Sequence, residues 1–163
     1  MTRKPYNHKN CQSLFGYAAD VHRRSGGRCA LCDCGGEPLK FEMWRQMTVE
    51  HLIGKSQQGY LKDIRGLVQA RFPELTEPEQ EDLSRQIDVL NTVTSCSFCN
   101  STTSRDKNPK SMAMLISTLG TPSDVLKTVA SEAKNILGRK RQNVAWKLES
   151  VREAFNREFS EPN

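Results

Sequence analysis

The sequence lacks any apolar run that approaches the roughly 18 residues of a membrane-spanning helix. Its first residues, Met1–Pro5, also lack the apolar core of a secretory signal peptide. We therefore expect a soluble, cytoplasmic protein with no membrane partner. Internal repeats and low-complexity segments are absent as well, so the sequence predicts neither a solenoid nor a biased linker. The 163 residues are enough for one domain with an apolar core, or for one core with appended helices.

The formal net charge of +5 is unevenly distributed along the chain. Residues 1–58 carry 9 Lys/Arg against 5 Asp/Glu, and residues 105–163 carry 11 against 7. The segment between them, residues 59–104, carries 4 against 7 and is therefore acidic. Basic flanks suit a polyanionic partner, because neutralising phosphates releases counterions and strengthens binding. Charge alone leaves open the alternative of an ordinary basic protein with no such partner.

Two Cys-x-x-Cys pairs, Cys29/Cys32 and Cys96/Cys99, are separated by 63 residues. In a reducing compartment such pairs bind metal more often than they form disulfides. Four thiolates complete the tetrahedral coordination of Zn²⁺ and leave no open position for a substrate, so this zinc would be structural. The alternatives are buried cysteines without a metal, or a site in which Cys34 replaces Cys32.

The first half of the chain combines helical and strand patterns. Apolar residues from Gln12 to Arg24 recur at helical spacing, and Cys11 at the start of this pattern is expected to pack rather than ligate. Residues 39–53 predict two short strands. Residues 59–90 predict two helices, and the second opens with the capping box Thr76–Glu79. Its acidic outer face is expected to point away from any nucleic acid and comprises Glu79, Glu81, Asp82 and Asp88.

Three further helical segments are predicted after residue 109, and the second of them is expected to end at Gly138. The third carries an apolar stripe for which we expect core packing, with a helix–helix dimer interface as the alternative. The stripe consists of Val144, Leu148, Val151, Phe155 and Phe159.

Four polar residues lie beside these features in a specific order. Glu50 and His51 fall on or just after the second predicted strand, Asn91 precedes the second cysteine pair, and Asn100 follows it directly. Together with the cysteines, this arrangement resembles the HNH (ββα-metal) nuclease family, in its subgroup with a Cys₄ zinc. The resemblance covers about residues 25–104.

The resemblance and the periodicity together predict an α+β fold with a small ββα-metal core. We expect an N-terminal arm and helix over residues 1–24 and the nuclease core over residues 25–108. The acidic helical insertion at about residues 59–90 interrupts that core, and a C-terminal helical extension covers residues 109–163.

The resemblance also implies a role for each polar residue. His51 would be the general base that activates a water, and Glu50 and Asn100 would bind a catalytic divalent cation, Mg²⁺ or another ion. Asn91 would hold the loop and orient His51. Cys29, Cys32, Cys96 and Cys99 would bind the structural Zn²⁺.

Several basic residues are candidate phosphate contacts, although each could equally be a solvated side chain. Lys55 lies in the loop that follows His51, and Arg105 and Lys107 follow the helix that would carry Asn100. A basic cluster in the extension adds Arg139, Lys140 and Arg141.

These features predict a metal-dependent endonuclease that hydrolyses DNA, of a restriction or other defence type. One site per chain would cut both strands either as a homodimer or by two successive nicks. The alternatives are a catalytically inactive zinc-containing nucleic-acid-binding module, and a nuclease subunit of a larger defence complex with a protein partner.

Overall fold

The structure is a computed structural model that describes residues 3–7, 16–103, 108–118 and 120–159. Residues 3–7 form neither helix nor strand. Cys11, Arg105 and Lys107 lie outside the described residues, so the predictions made for them stay predictions.

The described residues form an α+β arrangement of helices around one small sheet. The elements in chain order are α1 (Tyr17–Arg24), α2 (Phe41–Trp44), β1 (Met47–His51), α3 (Leu61–Arg71), α4 (Glu77–Asn91), β2 (Thr92–Cys96), α5 (Ser97–Thr103), α6 (Met112–Ile116) and α7 (Pro122–Phe159). No helix of this described part is long and apolar enough to cross a membrane.

Strands β1 and β2 form a two-stranded antiparallel sheet, which α1 and α5 cover. Its register pairs Met47 with Cys96 at one end and His51 with Thr92 at the other. Side chains alternate between the faces of a strand. Glu50 and Thr48 therefore share the face toward α5, while His51 and Val49 share the face toward α1.

The main apolar core lies between the two inserted helices, α6 and the first half of α7. Apolar residues at helical spacing, such as Leu83 and Ile87 of α4, point into it. Helix α4 begins as predicted at a capping box, in which Thr76 and Glu79 satisfy each other's backbone amides. The insertion is thus the part of the fold that local sequence signals describe best.

Two predictions about secondary structure are wrong. Residues 41–44 form the short helix α2 instead of a strand, since the Met43 and Trp44 amides donate to the Lys40 carbonyl and Phe41 stays exposed. Gly138 does not end a helix, since α7 runs without a break through residues 122–159. Buried residues Ile136, Lys140 and Val144 lie on one face on both sides of that glycine, so packing keeps the helix continuous.

The predicted acidic and apolar faces also differ from the structure. Asp88 is buried and accepts hydrogen bonds from Tyr17, so it is not part of an outward acidic face. Val144 is buried, but the end of the apolar stripe does not pack in the core. Val151, Phe155 and Phe159 are 51%, 60% and 72% exposed, because α7 extends past the body that its first half contacts.

Candidate functional site

A tight turn of the chain brings the first cysteines together at the Cys96 end of the sheet. The Cys29 amide donates to the Cys34 carbonyl (2.8 Å), and the Asp33 amide donates back to the Cys29 carbonyl (3.0 Å). The Ala30 amide donates to the Thr94 carbonyl of β2 (2.8 Å), which attaches the turn to the sheet.

Four sulfur atoms, those of Cys29, Cys32, Cys34 and Cys96, lie within 4.8 Å of one another. Four sulfurs placed tetrahedrally at 2.3 Å from a zinc ion would be about 3.8 Å apart. The Sγ atoms of Cys32 and Cys96 are 3.8 Å apart. The group, called the sulfur cluster below, therefore has the size of a metal site.

The sulfur cluster contains Cys34 where the sequence predicted Cys99. The backbone hydrogen bond between Cys29 and Cys34 folds the third cysteine of the turn back onto the first. Cys99 lies beside the cluster, fully buried and packed in the same group as the other cysteines. Five cysteines thus lie together at this end of the sheet, and a tetrahedral ion binds four.

The sulfurs influence one another's ionisation. A hydrogen bond with Cys96 lowers the pKa of the Cys29 thiol to about 4, and burial raises the pKa of Cys34 to about 12. A bound cation would favour the thiolate form of all four ligands, because it neutralises their charge.

Asn91 holds the loop that follows His51. This side chain is fully buried at the end of α4, where its Oδ1 accepts from the Ile53 amide at 2.8 Å. Its Nδ2 donates to the carbonyls of Ile53 (3.0 Å) and Gly59 (2.8 Å). A Cβ atom at position 59 would overlap the Ile53 carbonyl oxygen, so the loop can close only with glycine there.

Glu50 is buried and paired with a lysine from α7. The Lys140 Nζ donates to Glu50 Oε1 at 2.6 Å and to the Thr103 carbonyl at 3.2 Å. Both side chains are only 5% exposed. Lys140 is therefore a structural counter-ion of Glu50, and the prediction that it contacts phosphate from a solvated basic cluster is wrong.

Asn100 lies on the same face of the sheet as Glu50. Its Nδ2 donates to the Thr48 hydroxyl at 2.9 Å, which holds the first turns of α5 against β1. Since Nδ2 is engaged in this bond, the Oδ1 atom of Asn100 is the one that can accept a hydrogen bond or ligate a cation.

His51 lies on the opposite face, close to two tyrosines. Its ring centroid is 4.2 Å from that of Tyr60 and 6.4 Å from that of Tyr17, with the Tyr17 ring nearly parallel to it. Burial lowers the pKa of His51 to about 4, so the imidazole is neutral at physiological pH. A neutral imidazole keeps the lone pair that a general base requires.

The other basic candidates have mixed environments. Arg139 donates to the Asn108 Oδ1 at 3.1 Å, and Arg141 donates to the Ala30 carbonyl at 2.6 Å. Both residues remain exposed overall, as does Lys55. The structure therefore leaves these three accessible to a polyanion while it removes Lys140 from that set.

Sequence reasoning missed three residues around the site: Lys140 as the partner of Glu50, and Tyr17 and Asp88 beside His51. The signal for Lys140 was present, since it lies four residues from both Ile136 and Val144 on the buried face of α7. Tyr17 and Asp88 had no such signal, because only the fold brings α1 and α4 to the end of β1.

Among protein-family models, curated proteins and solved structures, none matches this chain.

Proposed function

We propose that this chain is a metal-dependent endonuclease of the HNH (ββα-metal) type that hydrolyses DNA phosphodiester bonds. One observation carries the proposal: α5 directly follows β2, the strand that pairs with β1, and this β1–β2–α5 unit holds Glu50 and Asn100 on one face. The Asn91 hydrogen bonds to the loop after His51 and the sulfur cluster at the far end of the sheet support it. A restriction or other defence role follows from the resemblance of the sequence alone.

The oxygen atoms of Glu50 and Asn100 are the kind of ligand that a hard divalent cation prefers. The chemical type of these donor atoms therefore fits Mg²⁺, although the Lys140 ammonium is bound to Glu50 Oε1. A cation held by these residues would stabilise negative charge that develops on the scissile phosphate.

His51 would act as the general base in this reaction. Its neutral imidazole takes a proton from water, and the oxygen of that water forms a bond to phosphorus. The bond between phosphorus and the 3′ oxygen then breaks. Protonation of the leaving oxygen gives a 3′-hydroxyl and leaves a 5′-phosphate on the other product.

The test is cleavage of supercoiled plasmid by the purified chain with Mg²⁺ or Mn²⁺. Loss of the general base in His51→Ala should lower the rate about 100-fold or more, since such groups contribute roughly 10²–10⁴. Lys134→Ala, on the exposed side of α7, is the matched control and should cleave as the wild type does. Cleavage that persists in His51→Ala would reject this mechanism.

The Glu50–Lys140 pair favours one alternative, a zinc-containing nucleic-acid-binding module without catalysis. In that case the buried ammonium would replace the cation permanently. Such a protein would retard DNA in a gel and cleave none of it with either metal. Cleavage by the isolated chain would also weaken the idea of a subunit that depends on a protein partner.

We propose further that the sulfur cluster binds Zn²⁺ as a structural ion. The sulfur-only ligand set is typical of structural zinc, because it leaves no coordination position open for a substrate. The cluster joins the turn before β1 to the start of α5, and the small sheet alone could not hold these parts together.

A further inference from the structure

The environment of His51 includes a chain of polar groups that comes from outside the β1–β2–α5 unit. The Tyr17 hydroxyl of α1 is 3.5 Å from His51 Nε2, a long hydrogen bond. The same hydroxyl lies 3.0 and 3.2 Å from the two carboxylate oxygens of Asp88 on α4. Asp88, Tyr17 and His51 thus form a continuous series from a buried acid to the imidazole.

The direction of these hydrogen bonds follows from the number of protons available. A phenol has one proton, and a carboxylate can only accept, so the Tyr17 hydroxyl donates to Asp88. The phenol oxygen then offers only lone pairs to His51. A favourable contact at 3.5 Å therefore requires the proton of the neutral ring to be on Nε2.

The Tyr17 hydroxyl donates to Asp88 in this way when the Asp88 carboxyl group is ionised. Burial raises the pKa of its carboxyl group, and the hydrogen bond from Tyr17 and the nearby guanidinium groups act against that shift. Those groups are Arg24 on α1, Arg65 on α3 and Arg85 on α4. The same acid raises the pKa of Tyr17, as burial also does, so the phenol keeps its proton at neutral pH.

The neighbouring ring of Tyr60 restricts the imidazole further. Its centroid is 4.2 Å from that of His51 at an interplanar angle of 31°, which hinders a flip that would exchange the nitrogens. Once Nε2 carries the proton, Nδ1 is the nitrogen with the free lone pair.

We propose that Tyr17 and Asp88 are positioning residues that hold His51 as the Nε2–H tautomer, with Nδ1 as the proton acceptor toward water. The catalytic meaning of this arrangement rests on the proposed nuclease function, but the tautomer itself does not. The helices α1 and α4 therefore serve the site directly, although neither belongs to the β1–β2–α5 unit.

Long-range ¹H–¹⁵N NMR of the chain near pH 7.5 tests the tautomer directly. The chain has 3 histidines, so the His51 signals can be assigned as those lost in His51→Gln. The wild type should show the Nε2–H pattern. Tyr17→Phe, which keeps the ring and removes the hydroxyl, should give a mixture of tautomers or the Nδ1–H form.

Two further variants separate positioning from general damage. Asp88→Asn keeps an oxygen that accepts from Tyr17 and should retain the wild-type pattern, whereas Asp88→Ala should resemble Tyr17→Phe. Tyr60→Phe is the matched control, because it keeps the ring against His51 and should leave the tautomer unchanged. Circular dichroism establishes that each variant is folded.

If the chain cleaves DNA, Tyr17→Phe should lower kcat about tenfold with little change in KM. An Nδ1–H wild type, or a Tyr17→Phe variant that keeps the Nε2–H pattern, would overturn the proposal. A chain with the expected tautomers and no cleavage would instead reject the nuclease function and leave the positioning intact.

Discussion

Both ends of the β1–β2 sheet carry acidic side chains that can bind metal. The partners of these side chains differ between the two ends. At the Cys96 end, five cysteines pack together, and four of their sulfurs lie within 4.8 Å of one another. Toward the His51 end, the carboxylate of Glu50 is paired with an ammonium of the chain itself, Lys140. Four thiolates at the first end would bind a cation from outside, whereas the second end contains its own cation.

This difference assigns different purposes to the two ends. A cluster that needs an external ion can make folding depend on that ion, which is what a structural metal does. A buried carboxylate with an internal counter-ion is stable in the metal-free protein, and a divalent ion must then compete with Lys140 for Glu50. Three predictions test this contrast, from the largest expected effect to the smallest.

The largest effect is expected from removing metal at the sulfur end. We expect about one zinc per chain by elemental analysis, and Cys96→Ser should lose both the zinc and the folded state, because metal binding is coupled to folding. Comparing Cys34→Ser with Cys99→Ser identifies the fourth ligand, and the geometry favours Cys34. A wild-type chain that is folded and free of zinc would contradict this prediction.

The next effect is expected from removing the internal cation. Lys140→Met removes the ammonium that faces the buried Glu50 carboxylate, which should lower the free energy of unfolding by about 3–5 kcal/mol in urea titrations. Adding Glu50→Gln should recover much of this loss, since the buried negative charge is then gone. Lys134→Met, at an exposed position of the same helix, serves as the control. Equal stability of the two lysine variants would show that the pair is not buried in solution.

The smallest effect concerns acid sensitivity at the His51 end. The pKa of His51 is lowered from 6.5 to about 4, so the unfolded chain takes up a proton first as the pH falls. The stability that neutral His51 contributes is complete above pH 6.5 and declines toward pH 4. The difference in unfolding free energy between wild type and His51→Gln should change over this range by up to about 3 kcal/mol. A constant difference would indicate that His51 is solvated.

Local signals in the sequence predicted the helical insertion well. The Thr76–Glu79 capping box starts α4, and the apolar spacing of Leu83 and Ile87 identifies its buried face. The prediction of Asp88 on the outer face was wrong, because burial of a carboxylate depends on a partner such as Tyr17, 71 residues away. Helical periodicity identifies the face of a helix that carries apolar residues. It contains no information about polar partners that are distant in the sequence.

Predictions at the ends of elements were less successful, for a related reason. Gly138 is a common helix terminator, yet Ile136 and Val144 are packed on either side of it and α7 continues. The stripe through Phe155 and Phe159 has the period of a packed helix but remains exposed beyond the body of the fold. Periodicity predicts which face is apolar, whereas only packing decides whether that face is covered.

The sequence by itself determined the spacing of the Cys-x-x-Cys pairs, the Glu50–His51 dipeptide and the α+β class of the fold, because these depend on neighbouring residues. The tertiary structure alone decided that Lys140 neutralises Glu50, 90 residues away, and that Cys34 rather than Cys99 joins the sulfur cluster. It also decided that Tyr17 meets both His51 and Asp88. Buried charges and thiols are stabilised by whichever groups packing brings within hydrogen-bonding distance, and that choice is made by the whole fold.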